Sequence, residues 1–245
     1  MKIVSAHQPA FMPWMGLIHK VLISDAFIFM DIAKFRKRAF MHRNKIEING
    51  QSHFIGLKVN NQSDYQLCNE INVSKDYLLD LKSLKEKIMF SYKKSSYVDD
   101  LEDFLENVLI NDSKSLIDIC LLQLNFLCKR LDINTKVIKE SEIMSIEETK
   151  KNSASERLLS HAKITNANIY ITGINSKNYL DENLFKNNNI NHLVQNFNYE
   201  SLLNHQKSKD PLSILHQIAK LGYVEIKNNL NNFQITKKDI IAKYL

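Results

Sequence analysis

Residues 2–30, KIVSAHQPAFMPWMGLIHKVLISDAFIFM, decide the fold class. Residues 2–6 form a short apolar run that reads as a buried strand. A loop stiffened by Pro9 and Pro13 follows, then apolar residues at helical spacing over 14–24, then the compact run AFIFM at 26–30. An unbroken apolar run of that length matches a strand buried on both faces of a parallel sheet. Strand, loop, helix and strand in this order make a βαβ unit, the building block of layered α/β folds.

Working outward, residues 45–48 and 52–59 flank Asn49-Gly50, a pair that readily adopts the two positive φ angles of a type I′ turn, so a β-hairpin is expected. Residues 76–130 carry three apolar stripes at helical spacing: Leu78, Leu81, Leu84 and Ile88; then Leu101, Phe104, Leu105 and Val108; then a stripe running from Ile117 to Cys128. These read as packed helices and not as a partner-binding face. Further strands are expected at 135–139, 169–172 and 191–197. Ser153 with Glu156 forms a capping box that opens a helix to about residue 163. A helix over 212–221 should stop at Gly222. The Asn- and Lys-rich tail from residue 228 reads as peripheral. The expected fold class is therefore α/β: a layered, Rossmann-like, mainly parallel sheet with an antiparallel hairpin and a helical middle segment. No long linker divides the chain, so residues 1–245 read as a single α/β domain with 76–130 as a helical insert or subdomain.

Composition narrows the function classes. The net charge of +6 is compatible with a mildly basic solvated surface or with an anionic substrate such as a nucleotide sugar or phosphate. Nucleic acid is not an expected partner, because no compact Lys/Arg run carries interleaved aromatics. The three cysteines, Cys68, Cys120 and Cys128, show no CxxC or zinc spacing; Cys120 and Cys128 sit at helical spacing among Leu and Ile and read as core thiols. MKIVSAHQP lacks the apolar stretch of a signal peptide, and no apolar run approaches the ~18 residues of a membrane span. A cytoplasmic location is expected.

Three clusters carry candidate chemistry. The first is His7, Gln8, Trp14, Gly16 and Lys20, which leave the first strand and enter a helix. In open α/β sheets ligands bind at that edge, and a helix N-terminus favours anions. His7 suits a base or hydrogen-bond donor, Trp14 a stacking surface and Lys20 a phosphate contact. The alternative is that Trp14 and Pro13 pack the core and His7 is a satisfied loop histidine. The second cluster is Asp31, Lys34, Arg36, Arg38, His42, Arg43 and Asn44, with the planar guanidinium groups suited to phosphate or carboxylate; a solvated basic connection is the alternative. The third is Thr172, Gly173, Ser176 and Tyr179, where hydroxyl groups follow a strand and a glycine turn; a plain strand-to-helix turn is the alternative. GxGxxG, Walker A, GxSxG and HExxH patterns are all missing from the sequence. Asp31 and the histidines offer ligands for a metal, but nothing in their spacing demands one, so no metal or other cofactor is assigned.

HQPAFMPWMGLIHK, SDAFIFMDIAKFRKRAFMHRNKI, IYITGINSKNYLDENLF and DPLSILHQIAKLG resemble the motifs of the WbqC-like protein family, with the similarity spanning about residues 2–223. His216 and Lys220 depart from it, standing where the family usually has Asp and Asn, so His216 is left out of the expected site. The resemblance implies a role in O-antigen-type surface-polysaccharide biosynthesis, and attachment of an amino acid, glycine in particular, to an amino sugar. An aminoacyl- or acyltransferase acting on a nucleotide-linked amino sugar would need a base, oxyanion donors and a cationic pyrophosphate site. His7 is the candidate base and Asp31 its orienting partner. Gln8, Arg43 and Asn44 are candidate donors, and Lys20 and Arg36 candidate phosphate contacts. The donor would arrive already activated, on a carrier protein in one version. Two alternatives stay open: a nucleotidyl-transfer enzyme with a degenerate Gly16–Lys20 loop including His19, and a non-catalytic glycan or nucleotide-sugar binding protein.

Overall fold

The computed structural model describes residues 1–60, 65–109, 113–232 and 234–244. Strand β1 (Ile3–His7), helix α1 (Met15–Leu22) and strand β2 (Ala26–Phe29) form the expected βαβ unit, with β1 and β2 parallel and His7 opposite Phe29. The hairpin β3 (Arg43–Ile48) and β4 (Gln51–Gly56) turns at Asn49 and Gly50, whose φ angles are 52° and 79°. It stands as its own two-stranded sheet and does not extend the central one. A two-residue antiparallel pair, β5 (Val59–Asn60) and β6 (Asn72–Val73), leads to the helices α2 (Tyr77–Tyr92), α3 (Val98–Leu109) and α4 (Leu116–Arg130). In α2 the buried stripe is Tyr77, Leu81, Leu84, Ile88 and Tyr92; Leu78, expected inside, is exposed.

The chain then returns to the sheet through β7 (Lys136–Lys139), α5 (Ile146–Lys151), α6 (Ala154–Ile164), β8 (Ile169–Thr172), α7 (Glu182–Lys186) and β9 (Asn191–Val194). Helix α8 (Ile214–Asn232) is broken at Gly222, whose φ of 66° and ψ of 172° leave the helical region as the sequence predicted, and α9 (Lys237–Tyr244) follows. The central sheet is parallel throughout, in the order β7-β2-β1-β8-β9. The chain steps outward from β1 to β2 and β7, then crosses to the other side of β1 for β8 and β9. The strand order therefore reverses between β1 and β8, and the connections there leave to opposite sides and open a crevice at the C-terminal edge.

Alternation along the strands divides the core. Phe27 and Phe29 pack with Leu17, Ile18 and Val21 of α1 and with the α2–α4 helices on one face. Val4, Ala26, Ile28 and Tyr170 pack with Leu158, Leu159 and Ala162 of α6 and Phe185 of α7 on the other. The tail is not peripheral. Ile240 of α9 is buried with Ile3, Ile23, Ile169 and Ile171, and Lys237 pairs with Asp25. Ile240, Ile241 and Tyr244 form an apolar stripe that the surrounding Lys and Asn disguised. No helix among the described residues is long and apolar enough to cross a membrane.

Candidate functional site

At the C-terminal edge, where the strand order reverses, lies a cavity of about 1170 Å³. The ends of β1, β8 and β9, the loop after β2, the base of the hairpin and the first turns of α1 and α6 all line it. The loops beginning at residues 7, 31 and 172 thus meet over one rim. Of the expected residues, His7, Gln8, Trp14, Lys20, Arg36, Asn44, Thr172, Ser176 and Tyr179 line this cavity; Asp31 and Arg43 do not.

The loop after β1 is held on several sides. Met12 takes a φ of 47°, a conformation unfavourable to a side chain bearing Cβ. Its amide donates to Gln123 Oε1 at 2.8 Å, and its carbonyl accepts from Ser213 Oγ at 2.9 Å and Asn44 Nδ2 at 2.7 Å. Asn44 gives its other bond to the Phe11 carbonyl at 3.1 Å, while its own Oδ1 accepts from the Lys45 amide. Asn44 is therefore a clamp on the loop and has no amide hydrogen left for a substrate. Trp14 lies across the first turn of α1. A Cβ on Gly16 would come within 2.1 Å of the indole, so only glycine admits the ring there. Phe197 fixes the indole from the other side, edge-on at 5.4 Å.

His7 Nδ1 is 2.7 Å from the Gln8 carbonyl, which can only accept, so the proton sits on Nδ1 and Nε2 keeps its lone pair. Burial, and then the charge of Lys20, push the imidazole pKa down to about 4, so it is neutral near pH 7. Lys20 is 4% exposed, and its ammonium makes no hydrogen bond or ion pair among the described residues. Burial lowers its ammonium pKa to about 8. Its Nζ reaches from α1 to the turn after β8, 3.4 Å from where a Cβ on Gly173 would stand. A buried cation without a counter-ion is costly to hold, and an anionic ligand is the natural remedy.

The turn after β8 carries a directed hydrogen-bond chain. Thr172 Oγ1 lies 2.6 Å from Ser176 Oγ and 2.7 Å from His192 Nε2, and His192 Nδ1 lies 3.6 Å from Glu182 Oε1. The carboxylate favours the tautomer with the proton on Nδ1, so Thr172 donates to Nε2 and Ser176 donates to Thr172. Burial lowers the His192 pKa against the opposing pull of Glu182. Ser176 thereby presents lone pairs, not its hydrogen, to the cavity.

The second cluster divides. Lys34 and Arg36 line the cavity, with Lys34 over the Tyr65 ring at 4.5 Å. Asp31 is no partner for His7: its carboxylate is taken by Ser141, from the amide at 3.0 Å and the hydroxyl at 2.6 Å. Arg43 lies outside the lining: its Nη2 donates to the Arg38 carbonyl at 2.7 Å, and its guanidinium stacks 4.4 Å over the Phe54 ring. His19, the residue the nucleotidyl-transfer alternative needs, is fully buried between the Ile235 carbonyl and Gln195, outside the lining. His216, set aside on sequence, is buried against Tyr92 at 3.0 Å and also lies elsewhere.

Sequence reading missed Lys45, Arg157, Gln195, Phe197 and Asp210, all of which line the cavity. Lys45 pairs with Asp210 at 2.7 Å, and Arg157 with the fully buried Glu140. Lys20, Lys34, Arg36, Lys45 and Arg157 face a single lining carboxylate, Asp210, so the wall is cationic. Among the described residues no cluster of three or more His, Cys, Asp or Glu is arranged to hold a metal ion.

A family model described as the WbqC-like protein family matches residues 8–227. The chain belongs to the WbqC-like protein family. The matched span carries nearly all of the cavity wall and stops before α9. A Mycobacterium tuberculosis protein named "Uncharacterized protein Rv1507c" is 22% identical over 190 residues, covering 76% of this chain and 78% of that one. No solved structure matches the chain.

Proposed function

We propose that this WbqC-like protein is a cytoplasmic transferase of surface-polysaccharide biosynthesis that joins an activated aminoacyl group, glycyl in particular, or an acyl group to the amine of a nucleotide-linked amino sugar. The observation that carries this reading is the pair at the crossover: an unpaired buried ammonium, Lys20, beside a neutral imidazole, His7, with a free Nε2. Lys20, Arg36 and Lys34 suit the pyrophosphate, and Trp14 offers a face for a sugar ring or base. The amine attacks the activated carbonyl, a C–N bond forms, the bond to the carrier breaks, and His7 Nε2 passes the amine proton to the leaving group. Phosphate placed against Lys20 offsets the charge that helps depress His7, so the acceptor itself strengthens the base. The hydrogen-bond donors for the oxyanion are the side-chain NH2 of Gln8 and the backbone N–H groups of the turn at Gly173, which opens on the cavity.

The test mixes the protein with activated glycine and a UDP- or dTDP-linked 4-amino sugar and looks for the mass of one added glycyl group. A binding-only role is the second reading, favoured by the low proton affinity of His7. It predicts saturable UDP-sugar binding with no product from any activated donor, and a His7→Ala variant that differs only in affinity.

A further inference from the structure

Arg157 enters no step above, yet its guanidinium is the most firmly fixed cation on the cavity wall. Nε donates to Glu140 Oε1 at 2.6 Å and Nη2 to Oε2 at 2.5 Å. Glu140 is fully buried and also accepts from His161 Nε2 at 2.8 Å, while His161 Nδ1 lies 3.0 Å from the Tyr170 hydroxyl. Burial alone would raise the Glu140 pKa, but the bonds from His161 and Arg157 hold it below its usual range, so the carboxylate stays charged. Two of the three guanidinium nitrogens are thus committed. Nη1 makes no hydrogen bond among the described residues, and the side chain lines the cavity with 17% of its surface open. A buried ion pair at a cavity rim is a poor source of stability, but it sets a donor in one direction.

Arg157 also stands apart from Lys20. Lys20 rises from α1, packed on the face of Phe27 and Phe29; Arg157 rises from α6, packed on the face of Val4 and Ile28. The cavity spans the sheet edge between them, and about 1170 Å³ exceeds the roughly 300–1,000 Å³ typical of a single-ligand pocket.

We infer that Arg157 Nη1 binds a second phosphate, that of the activated donor's carrier, and that the cavity holds acceptor and donor together. The inference rests on reading the cavity as the substrate site but not on turnover. Adenylates, pantetheine thioesters and nucleotide esters all bring a phosphate, so the shared chemistry is a phosphate monoester or diester presented to one guanidinium nitrogen.

Calorimetry on the full chain tests it, with UDP for the acceptor side and either AMP or 4′-phosphopantetheine for the donor side. Protein saturated with UDP should still bind one donor-side probe with affinity within about threefold of that of free protein; which probe binds tells an adenylate from a pantetheine carrier. Arg157→Met should weaken that probe tenfold or more and leave UDP within twofold, and Lys20→Met should do the reverse. Because Arg157→Met strands the Glu140 charge, the double variant Glu140→Gln/Arg157→Met repeats the measurement with that charge removed. Displacement of UDP by both donor-side probes, failure of both to bind, or equal weakening of UDP and donor probe in the Arg157 variants overturns the inference. Donor-probe binding that depends on Arg157 while UDP fails to bind leaves Arg157 in place and sinks the acceptor assignment instead.

Discussion

Replacing Lys20 with Met should make the protein more stable and less able to bind its ligand. The folded-state pKa of Lys20 is about 8 against an ordinary 10.5. At about 1.4 kcal/mol per pKa unit, holding this ammonium charged costs the fold on the order of 3 kcal/mol. The cost is fully present below pH 8, because there the unfolded and folded chains are both protonated and only the folded one is penalised. It shrinks as pH rises from 8 and is gone above 10.5, where neither state carries the proton. Methionine fills a similar volume without a charge. Urea unfolding at pH 7 should therefore show Lys20→Met more stable by on the order of 3 kcal/mol, which for a chain of this length is roughly 6–12 °C in Tm. The difference between the two proteins should narrow steadily between pH 8 and 10.5. A variant less stable than the parent at pH 7, or an advantage that does not vary with pH, would refute the idea that Lys20 is an uncompensated buried cation.

His7 should behave in the same sense, shifted to acid pH. Its depressed pKa of about 4 means the unfolded chain gains a proton first, so its contribution to stability is intact above pH 6.5 and lost as pH falls toward 4. A His7→Gln variant should lose activity and show a shallower fall in urea midpoint between pH 7 and 4.5. Asp31→Asn should cost about 1–3 kcal/mol through its bonds to Ser141 while leaving product formation within a few-fold of the parent, and a thousandfold loss of rate in a stable variant would restore Asp31 as His7's partner. Gly16→Ala, although it improves helix propensity, should destabilise by about 1–3 kcal/mol and shift tryptophan emission, because the new methyl group meets the Trp14 ring; unchanged emission would mean that the indole lies elsewhere.

Local signals in the chain carried much of the fold. The βαβ unit at residues 2–30, the Asn49-Gly50 turn, the Ser153 capping box and the break at Gly222 depend on neighbours within a few residues, and all are present as read. The first cluster was legible for the same reason, since His7, Trp14 and Lys20 leave one strand together. What stayed hidden depends on distant partners. Asp31 and Ser141 are 110 residues apart, and no local pattern tells a carboxylate that serves a ligand from one consumed by a serine. Arg157 looks like any helix arginine until Glu140 is found beneath it. Gln195 and Phe197 gain meaning only from the crossover that sets the end of β9 against α1. Asn44 does line the cavity, but its amide hydrogens go to the carbonyls of residues 11 and 12, partners that no local pattern announces.

Trp14 is the only tryptophan in the chain and lines the cavity, so its emission reports occupancy without a label. Titrating UDP into the parent protein and into Lys20→Met, with Trp14 fluorescence as the readout, tests the central claim most directly: that the crossover cavity receives an anion on Lys20. The account predicts a saturable change in the parent and at least a tenfold weaker response in the variant. A parent protein whose emission ignores UDP and UDP-sugars alike, or a variant that responds as the parent does, would contradict it.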